Sequence, residues 1–334
     1  MKDMKKTLSK YKPILYMGAI ILIYVLIYFL VTGNVLNRQF KSLLVPIGIN
    51  IILAVSLNLT TGFLGELSLG HAGFMAIGAY SGAIFTLRSS LPEVLEFILA
   101  ILIGGLIAAI FGVLIGMPVL RLKGDYLAIV TLAFGEIIRS VINSLKITGG
   151  AMGLSKIPRY SNYTWVYIMV IITIIFISNL VRSRHGRAII SIRENYIAAE
   201  SMGIKVSKYK IMAFVIAAFF AGVAGVLYGH NLSILKPADF DYNKSIEILV
   251  IVVLGGMGSI KGSVISAIIL TVLPEMLRAA DDLRMLLYAI VLIVMMLFNS
   301  SDIRTKLEDR GIAISLPKFG KDKKQAVTSN KGNK

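Results

Sequence analysis

The chain has 334 residues, of which 56% are hydrophobic and 16% charged, where a soluble domain carries about 25% charged residues. So much apolar sequence matches immersion in lipid and excludes a pair of ordinary soluble domains. Lys plus Arg outnumber Asp plus Glu by 35 to 18, and there is no cysteine, which excludes disulfides, thiolate metal sites and cysteine nucleophiles.

Residues 1–13 carry Lys2, Lys5, Lys6, Lys10 and Lys12 ahead of an apolar run. That run is too long for the apolar core of a signal peptide, and no A-x-A-like site follows it. It therefore predicts a retained first transmembrane helix. Taking about 20 apolar residues per crossing, full-length spans are expected at 14–32, 43–61, 67–87, 97–120, 127–145, 163–181 and 211–231. Three shorter ones follow at 246–258, 264–277 and 284–299. The expected fold is all-α: a polytopic integral membrane protein of about ten transmembrane or membrane-embedded helices, some of them broken.

The positive charge is distributed by loop. Five basic residues precede the first span, seven lie in 182–210 and nine in 300–334, against two in 33–42, one in 88–96 and two in 232–245. Positive-inside bias then expects both termini on the cytoplasmic side of a bacterial inner membrane, and no nucleic-acid partner is needed to explain the charge. This gives a basic N-terminus (1–13), a transmembrane domain (14–299) with a cytoplasmic loop at 182–210, and a Lys-rich tail (300–334) expected to be partly disordered.

Two stripes of small residues suit close helix packing: Gly104, Ala108, Gly112 and Gly116, and Ala213, Ala217, Ala221, Gly225 and Gly229. They serve either packing within the chain or contact with a partner or a path. Two glycine-rich interruptions stand out more. The stretch 61–73 places Gly62, Gly65, Glu66, Ser68, Gly70, His71 and Gly73 in membrane-depth sequence, and 254–262 carries Gly255, Gly256, Gly258 and Gly262. Broken helices are tolerated where protein or a water-filled cavity surrounds them, and paired interruptions point to a transport path. The second stretch also suits a tight cytoplasmic turn at Lys261. It matches neither nucleotide signature: Gly262 follows Lys261 where Walker A needs Ser or Thr, and Lys261 occupies the third glycine position of G-x-G-x-x-G. The chain is thus expected to lack an ATP site.

In 182–210, Ile189, Ile192, Tyr196, Ala199 and Met202 recur at spacings of three and four, one stripe of a short amphipathic helix ending at Gly203. Such a helix suits the lipid interface or a groove on a soluble partner equally.

The stretch Gly65-Glu66-Leu67-Ser68-Leu69-Gly70-His71-Ala72-Gly73-Phe74, continued by Gly78-Ala79-Tyr80, resembles the signature of branched-chain amino-acid ABC transporter permeases. Arg121 to Ile137 and Thr148-Gly149-Gly150 resemble the M-type member of the permease pair. Arg193-Glu194, then Ala198 to Gly203 and on to Lys210 and Ala213-Phe214, are similar to the family's coupling loop, and Gly255 to Gly258 with Gly262 match as well. The resemblance covers about residues 43–299. It implies import of leucine, isoleucine or valine by alternating access, with a paralogous permease completing a heterodimer, two cytoplasmic ATPase subunits and an extracytoplasmic substrate-binding protein. ATP and Mg would be bound by the partners, with no cofactor or metal in this chain. It also implies a coupling helix over 187–207, with Arg193, Glu194, Tyr196, Ala198, Ala199, Glu200 and Gly203 facing the ATPase. Glu66 stands where the family would vary between polar and apolar residues.

Ionisable groups at membrane depth are the remaining site candidates. Glu66, Ser68, Gly70, His71 and Gly73 are expected near a translocation path, His71 lining it, hydrogen-bonding a broken helix, or serving as a structural, hydrogen-bonded histidine. Glu136 and Arg139 are expected to pair, Asp125 to cap a helix, and His230 to sit at the membrane interface. No nucleophile and base are paired with His71, His185 or His230, so no catalysis is expected. Two other readings stand beside this one: the same importer class carrying urea or short amides, and a proton-coupled secondary transporter using His71 and the buried acids.

Overall fold

The computed structural model describes residues 38–122 and 124–277, with isolated positions between 24 and 33 and between 286 and 293. The expected spans 14–32 and 284–299, the basic N-terminus and the tail lie outside this set apart from those positions. The described residues form helices α1 (Arg38–Asn58), α2 (His71–Arg88), α3 (Glu93–Val119), α4 (Asp125–Ser144), α5 (Tyr163–Arg182), α6 (Arg184–Glu194), α7 (Tyr196–Ser201), α8 (Val206–Leu232), α9 (Tyr242–Gly255) and α10 (Ile260–Met276). A π-helical turn, Leu59–Leu64, extends α1. Among the described residues the only β pairing is one isolated bridge, Leu154 with Leu235.

Local chemistry explains many of the boundaries. The side chains of Ser183, Asn195, Asp241 and Ser259 each accept a hydrogen bond from the first turn of the helix they precede, satisfying amides that have no partner within it. Glu93 and Glu96 occupy the first turn of α3, where negative charge suits the helix dipole. Asp125 likewise opens α4 but makes no side-chain cap bond, so its contribution is charge alone.

Among the described residues, five segments are long and apolar enough to cross a bilayer: Phe40–Leu64, α3, α4, α5 and α8. The boundaries differ from expectation mainly at the interruptions. The 67–87 helix starts only at His71, because 65–70 is non-helical, and the 246–258 helix stops at Gly255. The 211–231 helix begins earlier, at Val206.

Helices α2, α3 and α8 pack into the tightest part of the core, and the small residues are the reason. A Cβ at Gly78 would run into the Gly222 backbone, and one at Gly225 into that of Met75. Across α3 and α8, a Cβ at Gly112 would lie 2.8 Å from that of Ala218. Both stripes therefore serve packing within this chain.

Candidate functional site

The first interruption is a real break. The π-helical turn ends at Gly65, whose φ of +81° is a left-handed conformation open to glycine at little cost. Residues 65–70 then run without helical bonds to α2. Amides in the break and in the first turn after it find side-chain partners: Leu69 N donates to Thr131 Oγ1 (3.0 Å), and Ala72 N to Ser245 Oγ (3.1 Å). His71 does not do this job. Its ring is buried, with Nε2 2.9 Å from Ser56 Oγ on α1. Ser68 is buried as well. Gly70 and Gly73 allow α4 to approach, since Cβ atoms there would lie 2.6 Å from the Thr131 carbonyl oxygen and 2.9 Å from Gly135 Cα. Glu66 pairs with Lys210 of α8, both side chains mostly buried. Of the expected path residues, then, His71 bonds α1, Gly70 and Gly73 approach α4, Glu66 pairs with α8, and Ser68 is buried.

The second interruption meets the first. Gly258, at φ +84° between α9 and α10, donates its N–H to Asn58 Oδ1 (2.8 Å), while Asn58 Nδ2 donates to Ser263 Oγ (2.9 Å). A Cβ at Gly62 would collide with Gly258 N. Gly255 and Gly262 let α9 and α10 approach at backbone distance, and Gly256 turns the chain between them at φ +86°. This stretch is thus a turn between two helices that also docks on the other break.

The 184–210 segment differs from the expected single helix over 187–207. Asn195 is extended (φ −159°), and its side chain accepts from Ile197 N (3.0 Å) and Ala198 N (3.1 Å), ending α6 and starting α7 afresh. The apolar stripe is accordingly divided. Ile189, Ile192 and Ala199 are buried against Leu59, Phe63 and Leu64 of the π-helical turn, in a small cluster apart from the main core. Tyr196 and Met202 instead face outward, with Ile197 beside them. Glu194, Ala198, Glu200 and Gly203 are exposed too, Gly203 following α7 at φ +81°. Arg193 is exposed as a residue like its neighbours, and its Nη1 donates to the carbonyl of Gly62 (2.6 Å).

Of the remaining candidates, Glu136 and Arg139 pair as expected, Nη2 to Oε2 at 2.6 Å. His230, two residues from the end of α8, is fully buried within the chain, its ring stacked on Tyr160 (5.8 Å) and edge-on to Phe97 (5.2 Å). A groove of about 600 Å³ runs between α3, α5 and α8, lined by hydrocarbon and aromatic side chains such as Leu102, Trp165, Ile172 and Phe219. It offers nothing to hold a charged solute. Asn58, Ser245 and Ser263 were not singled out by sequence, whereas Thr131 and Lys210 fell inside recognised motifs without a role of their own.

Known proteins match this layout. The family described as branched-chain amino acid transport system / permease component matches residues 39–297. The high-affinity branched-chain amino acid transport system permease protein LivM of Escherichia coli is 37% identical over 286 residues, 75% of this chain. The alignment covers 66% of that relative, just under two thirds of its length. A probable branched-chain amino acid transport permease protein LivM of Methanocaldococcus jannaschii is 27% identical over 66% of this chain and 76% of its own. The LivH permease protein of E. coli is 32% identical over 31% of this chain and 34% of its own. The chain belongs to the branched-chain amino acid transport system permease family.

Proposed function

We propose that this chain is a membrane-spanning permease subunit of an ATP-binding-cassette importer, and that its cargo is a branched-chain amino acid. The observation that carries the reading is the crest on and beside α7. Ile197 is 60% and Met202 83% exposed, on a segment whose two flanks are bonded inward through Arg193 and Lys210. An apolar ridge on a held segment suits a groove on a partner protein. The partner we assign is a cytoplasmic ATPase subunit, which would bind ATP and Mg; this chain contributes the lever and no nucleotide site. Both termini and the 182–210 loop then face the cytoplasm. A paralogous permease would complete the membrane pair, as the likeness to both LivM and LivH relatives supports. An extracytoplasmic binding protein would deliver the cargo. Leucine, isoleucine and valine follow from the names of the LivM relatives, not from any contact in this chain.

The test is reconstitution of the chain with the permease, ATPase and binding-protein products of its neighbouring genes. Leucine uptake into proteoliposomes should require ATP and the binding protein. Replacing Ile197 and Met202 together by Asp should abolish ATPase capture while the chain still purifies as a folded species. Uptake of urea or acetamide instead of leucine would keep the class and change the cargo. Uptake driven by a proton gradient without ATPase subunits would sink the reading.

A further inference from the structure

We infer that Arg193 is a positioning residue that transmits movement of α7 to both helix breaks at once, an inference that rests on the importer reading above. Three segments far apart in sequence meet at its side chain. Nη1 donates to the Gly62 carbonyl (2.6 Å) and lies 3.0 Å from where a Cβ at Gly258 would stand. Its stem crosses Gly65 so closely that a Cβ there would fall 2.9 Å from Cγ. The arginine thus lies in a trough formed by glycines of both interruptions.

The chemistry favours a firm joint. Carbonyls in the last turn of a helix lack intrahelical partners, and a guanidinium supplies one of them with a charge-assisted bond, roughly twice as strong as a neutral one. Beneath it, Leu59, Phe63 and Leu64 pack with Ile189, Ile192, Ala199 and Ala213. Beside it, Asn58 bonds both Gly258 N and Ser263 Oγ, so the second break is tied to the first. Lys210 ties the far flank of the segment to Glu66. A push on α7 therefore has an anchor on each side, and both anchors land on residues 62–66. Transmission of this kind needs an element that occupies two positions as one piece. Arg193 is the tether that reaches both breaks: the residue is exposed, yet its Nη1 is engaged by the Gly62 carbonyl and its stem lies against Gly65.

The experiment uses the complete reconstituted transporter. Arg193→Met should keep the ATPase subunits bound and hydrolysis close to wild type, while leucine taken up per ATP falls about tenfold, the scale of an ordinary coupling energy. Arg193→Lys, which still offers a donor to Gly62, should recover part of the loss. A second measurement uses the absence of cysteine from the chain. A Cβ at Gly65 would lie 3.4 Å from that of Arg193, close to the ~3.5–4.5 Å span of a disulfide. The pair Gly65→Cys with Arg193→Cys should be uncoupled when reduced and recover uptake per ATP when oxidised, within one folded preparation. Loss of ATPase capture by Arg193→Met would make Arg193 a docking contact and overturn the inference alone. So would unchanged uptake per ATP, or, should that variant not fold, no response of the cysteine pair to oxidation. Failure of the wild-type chain to capture an ATPase would overturn the importer reading and this inference with it.

Discussion

Lys210 at the start of α8 and Glu66 in the first helix break form an ion pair across 144 residues of sequence, with side chains only 9% and 15% exposed. Removing one partner strands the other charge where water is scarce, which costs roughly 3–5 kcal/mol. Lys210→Met is therefore expected to lower the unfolding temperature in detergent sharply. The double change Glu66→Gln with Lys210→Met should recover most of the loss. If the double variant is as unstable as the single one, the pair is not what matters there.

At the break itself, the hydroxyls of Thr131 and Ser245 satisfy the amides of Leu69 and Ala72. Thr131→Val or Ser245→Ala leaves a buried donor without its partner, a loss of roughly 1–3 kcal/mol. Thr131→Ser keeps the oxygen and should be nearly silent. Thermal unfolding of the four proteins, wild type included, compares these directly.

Asn195→Ala removes the side-chain cap of α7, worth roughly 1 kcal/mol, and Asn195→Asp should keep it. Hydrogen exchange reads the difference locally: the amides of Ile197 and Ala198 should exchange faster in the alanine variant, with α1 and α8 unchanged.

Where α2 crosses α8 there is no room for a methyl group. Gly78→Ala is expected to prevent recovery of a monodisperse protein, because its Cβ meets Gly222 backbone and not a movable side chain. Leu106→Ala on the outer face of α3, where the residue is 55% exposed, serves as the control and should purify normally.

The helical membrane architecture was legible because lipid demands long apolar runs, and both breaks were legible because glycine and polar residues interrupt those runs. That the breaks touch was not. Asn58 and Gly258 are 200 residues apart, and nothing local in either stretch names the other. The restart at Asn195 was hidden by periodicity: Ile192, Tyr196 and Ala199 keep helical spacing through the cap, so the pattern reads as one helix. Arg193 was placed in the coupling loop, but its bond to Gly62 was not foreseen, since spacing gives a face and not the partner of a long side chain. His230 was placed by its distance from the end of its span. The aromatic shell that buries it comes from Phe97 and Tyr160, on α3 and the loop before α5.

The bond from Arg193 to Gly62 also sets an order of events during synthesis. Its two ends are 131 residues apart, so at about 5–20 residues per second the first break waits on the order of 10 s for its arginine. Through that interval the turn at Leu59–Leu64 lacks both its apolar cover and the donor for Gly62. The joint therefore cannot assemble before α6 has been made, and a nascent subunit halted before α6 would present an unfinished break to the cell's quality-control machinery.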